Sequence, residues 1–283
     1  MGEYRAAARD LERALGIYRD LGDRLGQANA LRYLGAVRRG TDDYPAAAQA
    51  LEQALGIYRD LGDRLGQAYA LYYLGDVRQL TGEYPAAAQI LEQALGIYGD
   101  LGDRLGQAYA LRYLGAVRRL TGEYPAAARD LEQALAISRD LGDRFGQAWA
   151  LLYLGIVRRT AGEYPAAARD LEQALAILRD LGHRGGEAEA LNETGTLHRV
   201  TGDLAQAERY HRQALDLARQ IGGFWDEAHA LAGLGRCALA AGHATQALAF
   251  LRQALEIFQR IGTAEANDVS RELTALTEAG PPA

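Results

Sequence analysis

Glycines recur in this chain every forty residues, and that regularity limits what it can fold into more than any other feature. Gly22, Gly62, Gly102, Gly142, Gly182, Gly222 and Gly262 share one register, and Gly35, Gly75, Gly115, Gly155, Gly195 and Gly235 share another. The segment LGDRLGQAYALYYLGDVRQLTGEYPAAAQILEQALGIY begins at Leu61; it recurs almost unchanged from Leu101, and recognisably from Leu21, Leu141, Leu181 and Ile221. A repeat of this length is one supersecondary unit that cannot bury its apolar face alone, so neighbouring units must stack. Length by itself would suggest about two ordinary domains. The repeat points instead to one stacked domain over residues 1–283.

Each period holds two amphipathic helices. Leu65, Ala68, Leu71, Leu74, Gly75 and Arg78 follow three-and-four spacing, and so do Tyr84, Ala87, Ala88, Leu91, Ala94, Leu95 and Tyr98. That is the 3.6-residue period of a helix with one apolar stripe. No segment alternates as a strand would, so the fold class expected is all-α. Gly62 stands where a helix end needs a left-handed residue, and Asp63 follows as an N-cap for the next helix. Thr81-Gly82 closes the first helix of the pair, and Pro85 falls in the first turn of the second, where its missing N–H costs nothing. Carboxylates such as Glu83 and Asp63 recur at helix starts, which reads as capping and dipole pairing rather than paired catalytic acids. Connections this short make neighbouring helices antiparallel.

These residues carry a resemblance to the tetratricopeptide repeat family. Leu71-x2-Leu74-Gly75-x2-Arg78 is followed by Gly82, Tyr84, Ala87-x3-Leu91 and Ala94, close to the family pattern W-x2-L-G-x2-Y, then A-x3-F, then P. Leu replaces Trp, Arg replaces the first helix's Tyr, and the terminal Pro is missing. The repeat is forty residues long rather than thirty-four, with the extra residues at Leu61 to Gln67. This long variant resembles Pins-type adaptors and, more closely, the C-terminal repeat regions of actinobacterial signalling ATPases and antibiotic regulatory proteins. The resemblance implies a right-handed superhelical solenoid of antiparallel helix pairs. Residues 1–22 would form an unpaired second-type helix, 23–262 six helix pairs, 263–279 a capping helix and 280–283 a tail. The opening MGEYRAAARD matches TGEYPAAARD at Thr121, so the chain starts in mid-repeat. Tyr4, Ala7, Ala8, Leu11 and Leu15 would then lack their usual first-helix partner. The natural protein is expected to extend further, or to meet another copy at this end.

Composition narrows the chemistry. All 31 basic residues are arginine, and the formal charge of −6 disfavours broad attraction to nucleic acid or anionic membrane. One cysteine, Cys237, excludes an intrachain disulfide and reads as a small core residue in the register of Val77. No apolar run approaches the roughly 20 residues that span a bilayer, and Met1 to Asp10 carries no signal core, so a cytoplasmic protein is expected. His183, His198, His211, His229 and His243 form no metal-binding spacing. No catalytic constellation is visible, and neither an enzyme nor a cofactor is expected.

Two rows remain as binding candidates. Arg38-Arg39, Arg118-Arg119 and Arg158-Arg159, with Arg78 and Arg199, recur near the ends of first helices. They read either as a ribbon for phosphate or acidic peptide, or as helix-end charges paired with neighbouring carboxylates. The second row comes from the resemblance, in which an exposed face of the first helices lines a concave groove. In register, its positions two, five, six and nine are Asn29, Arg32, Tyr33 and Ala36; then Tyr69, Tyr72, Tyr73 and Asp76. They continue as Tyr109, Arg112, Tyr113 and Ala116, and Trp149, Leu152, Tyr153 and Ile156. The fifth repeat gives Glu189, Asn192, Glu193 and Thr196, and the sixth His229, Ala232, Gly233 and Arg236. Tyr, Trp and Arg are the side chains that most often dominate binding energy. Tyr33, Tyr73, Tyr113 and Tyr153 could equally pack between helices. The function expected is a protein-interaction or sensor module within a larger bacterial signalling or regulatory protein, holding a peptide or protein segment in this groove. The alternatives are a self-associating scaffold joined through the N-terminal helix, and an arginine-ribbon module for nucleic acid. The chaperone-type carboxylate clamp is not expected, because Ala36, Tyr73, Tyr109 and Tyr113 occupy its positions.

Overall fold

The computed structural model describes residues 2–41, 43–263 and 265–278, and the Gly280-Pro281-Pro282 tail lies outside them. Fourteen helices and no strand occur among the described residues. The chain divides into two compact units, Met1–Gly146 and Gln147–Ala283. The first holds α1 (Gly2–Asp20), α2 (Arg24–Arg39), α3 (Tyr44–Leu61), α4 (Arg64–Leu80), α5 (Tyr84–Leu101), α6 (Arg104–Leu120) and α7 (Tyr124–Asp140). α8 (Arg144–Thr160) runs on into the second, which holds α9 (Tyr164–Asp180), α10 (Arg184–Val200), α11 (Leu204–Ile221), α12 (Phe224–Ala240), α13 (Ala244–Ile261) and α14 (Glu265–Glu278). Each unit is a run of antiparallel helix pairs, the architecture of a helical-repeat solenoid. First-type helices also touch the next first-type helix: α2 meets α4, α4 meets α6, and α10 meets α12.

The punctuation read from the sequence is present. Gly62 ends α3 at φ 68°, and the Asp63 carboxylate accepts the Gly66 N–H at 2.9 Å to start α4. His183 takes over this capping role at the start of α10, its Nδ1 accepting from Gly186 at 3.0 Å. Glu83, Glu123 and Glu163 depart from expectation: none of them caps its helix through the side chain. Glu83 instead chelates Arg78 at 2.7 and 2.9 Å and accepts from the Thr81 hydroxyl at 2.9 Å, so the charge-assisted pair wins over the backbone amide.

Close approach of the paired helices depends on the glycine register. A Cβ on Gly75 would sit 2.6 Å from Leu91 Cγ, and one on Gly115 2.6 Å from Leu131 Cγ, with both leucines fully buried. Gly66 and Gly106 do the same for the buried rings of Tyr58 and Tyr98. Two glycines of the first unit should therefore respond in opposite directions to alanine. At Gly106 the new methyl would lie 2.2 Å from Tyr98 Cδ1. Overpacking costs about 1–3 kcal/mol and exceeds the helix-propensity gain, giving a net loss of about 1 kcal/mol. At Gly96, exposed within α5 with nothing within 4 Å, alanine should add about 0.5–1 kcal/mol. Denaturant midpoints of the two variants would decide it; equal shifts would refute the packing role of Gly106.

At the first helix, Leu15 is buried while Tyr4 and Ile17 are half exposed.

Candidate functional site

In the first unit, three-and-four spacing puts Tyr69, Tyr72, Tyr73 and Asp76 on one side of α4, and Tyr109, Arg112 and Tyr113 on the matching side of α6. The rings of Tyr72, Tyr73, Tyr109 and Tyr113 meet in one cluster, and Tyr69 belongs to a second beside it. The Tyr72 ring lies 4.9 Å from Tyr73 and 5.2 Å from Tyr113, both edge-on, and 6.3 Å from Tyr109. Tyr69 stands edge-on to the buried Tyr98 at 5.8 Å. Arg32 on α2 joins the Tyr69 cluster, its guanidinium 4.1 Å from the Tyr33 ring centre and 5.2 Å from that of Tyr69. It also donates to the Tyr58 hydroxyl at 3.4 Å, which in turn donates to Asn29 at 2.8 Å. Such ring–ring and cation–ring contacts fix side chains that would otherwise have to be ordered by a ligand.

Behind the rings lies a charged centre. Asp76, 4% exposed, pairs with Arg39 at 3.0 Å, and Arg112, 7% exposed, stacks over Tyr113 at 4.4 Å. Burial raises the Asp76 carboxyl, against the opposing pull of Arg39 and Arg112. Burial also raises the hydroxyls of Tyr69, Tyr72, Tyr109 and Tyr113, which are therefore neutral donors at physiological pH.

This placement changes the register expectation. Positions two and six form the accessible face: Tyr69, Tyr73, Tyr109 and Tyr113 are half-buried and Tyr33 is half exposed. Positions five and nine turn between neighbouring first-type helices. Arg112, Leu152, Asn192 and Ala232 are buried at the fifth, and Asp76, Ala116 and Ile156 at the ninth. Arg112 and Asp76 thus brace the face from behind rather than projecting from it, with Tyr72 half-buried among the rings. Tyr98, which the sequence places on the apolar stripe of α5, and Tyr58, its counterpart in α3, also touch the site. The signal that could have found them is the change of type at one fixed position: Tyr18, Tyr58, Tyr98, Ser138, Leu178, Ala218, Phe258.

The second unit carries its own ring pair, Trp149 lying 5.9 Å from Tyr153 and 5.9 Å, edge-on, from His183. Further along, the face becomes polar and charged. Glu193 pairs with Arg159 at 2.9 Å and Arg236 with Glu272 at 2.6 Å. His211 is 1% exposed at the position held by Leu51, Leu91, Leu131, Leu171 and Leu251 elsewhere. Its Nδ1 lies 3.2 Å from Asn192 Oδ1, and its ring fills the space left by Gly195 and Gly233.

The outer arginine row is neutralised. Arg38, Arg78 and Arg118 each reach a glutamate of the preceding second-type helix, Glu12, Glu52 and Glu92, at 2.8 Å. Arg158 reaches Asp170 at 2.6 Å. Of the two readings open for the arginines, pairing between helices is the one present at Arg38, Arg39, Arg78, Arg118, Arg158 and Arg159. Among the described residues no group of three or more His, Cys, Asp or Glu is placed to hold a metal, and no helix is long and apolar enough to cross a membrane.

Family models described as tetratricopeptide repeat match residues 1–60, 101–180 and 186–260, and a second one residues 70–105. Among curated proteins none matches the chain significantly. Solved structures share the fold. BtubC (BKLC) from P. vanneervenii is 18% identical, with 92% of each chain covered and a TM-score of 0.59. A tetratricopeptide repeat protein from Parabacteroides merdae is 14% identical, covering 96% of this chain and 99% of its own, at a TM-score of 0.62. A Rap protein complexed with competence and sporulation factor is 13% identical, covering 96% of this chain and 85% of its own, at 0.68.

Proposed function

Because the chain belongs to the tetratricopeptide repeat family, a family of protein-interaction modules, we propose that the tyrosine face of its first unit is a concave groove that captures a protein or peptide segment. The observation that carries this reading is the pair of preassembled clusters, Tyr72, Tyr73, Tyr109 and Tyr113 in one and Tyr69 with Arg32 in the other. These rings offer wide contact area at small entropic cost, because their neighbours already hold them. Position two holds Asn29, Tyr69, Tyr109 and Trp149, and position five Arg32, Tyr72, Arg112 and Leu152; such changes of type among closely similar repeats are what a tuned surface on a fixed scaffold would show. Trp149 and Tyr153 present a smaller surface of the same kind in the second unit. The ligand suited to the first unit has an apolar middle for the rings and a carboxylate or carbonyl for Arg32. A Rap protein of related fold is known in complex with competence and sporulation factor, which supports a binding role for this fold. The paired state of Arg38, Arg78 and Arg118 favours a protein ligand over nucleic acid. We place the module in a larger bacterial signalling or regulatory protein, as a recognition element rather than an enzyme.

The test is selection of binders from a displayed peptide library on the full chain, followed by substitution. Tyr69→Ala and Tyr109→Ala should each weaken a selected binder by about 2 kcal/mol with helical content unchanged. Arg179→Ala, which removes only an ion pair to Glu187 in the second unit, should leave binding unaltered. Binders held equally well by Tyr69→Ala and Tyr109→Ala would end the groove reading.

A further inference from the structure

Arginine recurs in the last turn of the first-type helices at Arg39, Arg119, Arg159 and Arg199, one residue beyond the row stapled to the preceding helices. In the first unit Arg39 finds its counter-charge thirty-seven residues on, at Asp76. In the second unit Arg159 uses Glu193. The same thirty-seven-residue step from Arg199 arrives at Arg236, which Glu272 already holds through both Nε and Nη2. Where α4 places a carboxylate thirty-seven residues beyond Arg39, α12 places another guanidinium thirty-seven residues beyond Arg199. Among the described residues no carboxylate lies within ion-pair distance of Arg199, and its side chain makes no hydrogen bond.

A half-buried guanidinium without a partner is costly. Burial, then Arg236 and Arg159, push the Arg199 guanidinium below its ordinary range. The group behind it offers no relief. His211 is buried, and its Nε2 is without a partner. Burial, then Arg199 and Arg236, hold the imidazole neutral, down to about 3. The centre is open to solvent, because the side chains of Glu193 and Glu272 are 22% and 36% exposed. Three guanidiniums face two carboxylates, which leaves one positive charge.

We propose that Arg199, flanked by Arg159 and Arg236, receives one carboxylate of a bound protein segment, an Asp or Glu side chain, in the second unit. The charge count selects a carboxylate over a phosphate ester. One negative charge completes the centre, whereas a dianion would leave an excess beside Glu193 and Glu272. The guanidinium fork suits a planar carboxylate bound through both oxygens. This site is separate from the tyrosine face and stands or falls independently of it.

The experiment uses the full chain and a pentapeptide probe, acetyl-Ala-Ala-Glu-Ala-Ala-amide, with its Gln counterpart and phenyl phosphate as comparators. Arginine Nε–Hε resonances are followed by NMR, the Arg199 signal being assigned by its loss in Arg199→Lys. The Glu peptide should shift the Arg199 signal saturably, the Gln peptide should not, and phenyl phosphate should bind more weakly. Arg199→Gln should weaken the Glu peptide at least about tenfold, read from backbone amides of α10 and α12. Tyr69→Ala, which tests the other face, should leave the titration unchanged. To separate binding from folding, the double variant Arg236→Asp with Glu272→Gln rebuilds the Arg39–Asp76 arrangement. It should abolish probe binding without lowering the thermal midpoint. Equal binding of Glu and Gln peptides, or undiminished binding by Arg199→Gln or by the double variant, overturns the proposal. Tighter binding of phenyl phosphate overturns the carboxylate assignment.

Discussion

Tyr98→Ala is expected to cost the first unit about 3–4 kcal/mol, within the range for truncating a buried aromatic. The ring is 1% exposed, wedged against Gly106 on one side and edge-on to Tyr69 at 5.8 Å on the other. The cavity cannot close easily, because Gly106 has no side chain to move into it. Other repeats tolerate Ser138, Leu178 or Ala218 at this position, each with its own neighbours. A transplanted alanine brings none of those neighbours with it. The substitution should also loosen Tyr69, so any segment held by the tyrosine face would bind less tightly than packing loss alone implies. Tyr98→Phe keeps the ring and should cost less than about 1 kcal/mol. Denaturant unfolding of the two variants side by side checks this; a loss below about 1 kcal/mol for the alanine would mean that the ring does not hold the helices in place.

The same residues show how far the sequence could be read. Periodicity placed the helix pairs because the forty-residue register repeats both the apolar stripe and the glycines that let the stripes meet. Asp63 and Gly62 were legible as caps because their chemistry is local. Glu83 holds the N-cap position of α5 without a side-chain cap, because its choice between the helix-start amides and Arg78 depends on where the arginine's long side chain ends, which no spacing rule gives. The same limit applies to the inner face. Register identified Arg112 and Asp76 as residues of that face. It did not show that position five turns inward, because that depends on how closely α4 and α6 approach each other. The unmatched charge at Arg199 appears only when the thirty-seven-residue step is followed helix to helix.

Two buried groups in the second unit should give that unit opposite and nearly cancelling pH dependence. His211 is lowered from 6.5 to about 3, first by burial and then by Arg199 and Arg236. The folded protein keeps it neutral while the unfolded chain takes up a proton below 6.5, so its contribution to stability is lost as pH falls from 6.5 toward 3. Asp226 is raised from 3.8 to about 7, mainly by burial, with His229 opposing, and its Oδ1 has no partner. The folded protein keeps that proton while the unfolded chain releases it, so stability is lost as pH rises from about 4 to about 7. Each effect is on the order of 4–5 kcal/mol across its window. Glu265, held low at about 2 chiefly by His229, whose Nε2 lies 3.7 Å from its Oε1, titrates below that window and leaves it clear. Between about pH 5 and 6.5 the parent should therefore show an almost flat profile of hydrogen-exchange protection in α10 to α12. His211→Leu, which restores the residue found at Leu171 and Leu251, should uncover a profile that falls with rising pH. Asp226→Asn should uncover one that rises, and should make the unit more stable than the parent above pH 7. If the two variants have parallel slopes, burial does not control both protons, and the polar core around Asn192 and His211 must be more hydrated than its packing against Gly195 and Gly233 implies.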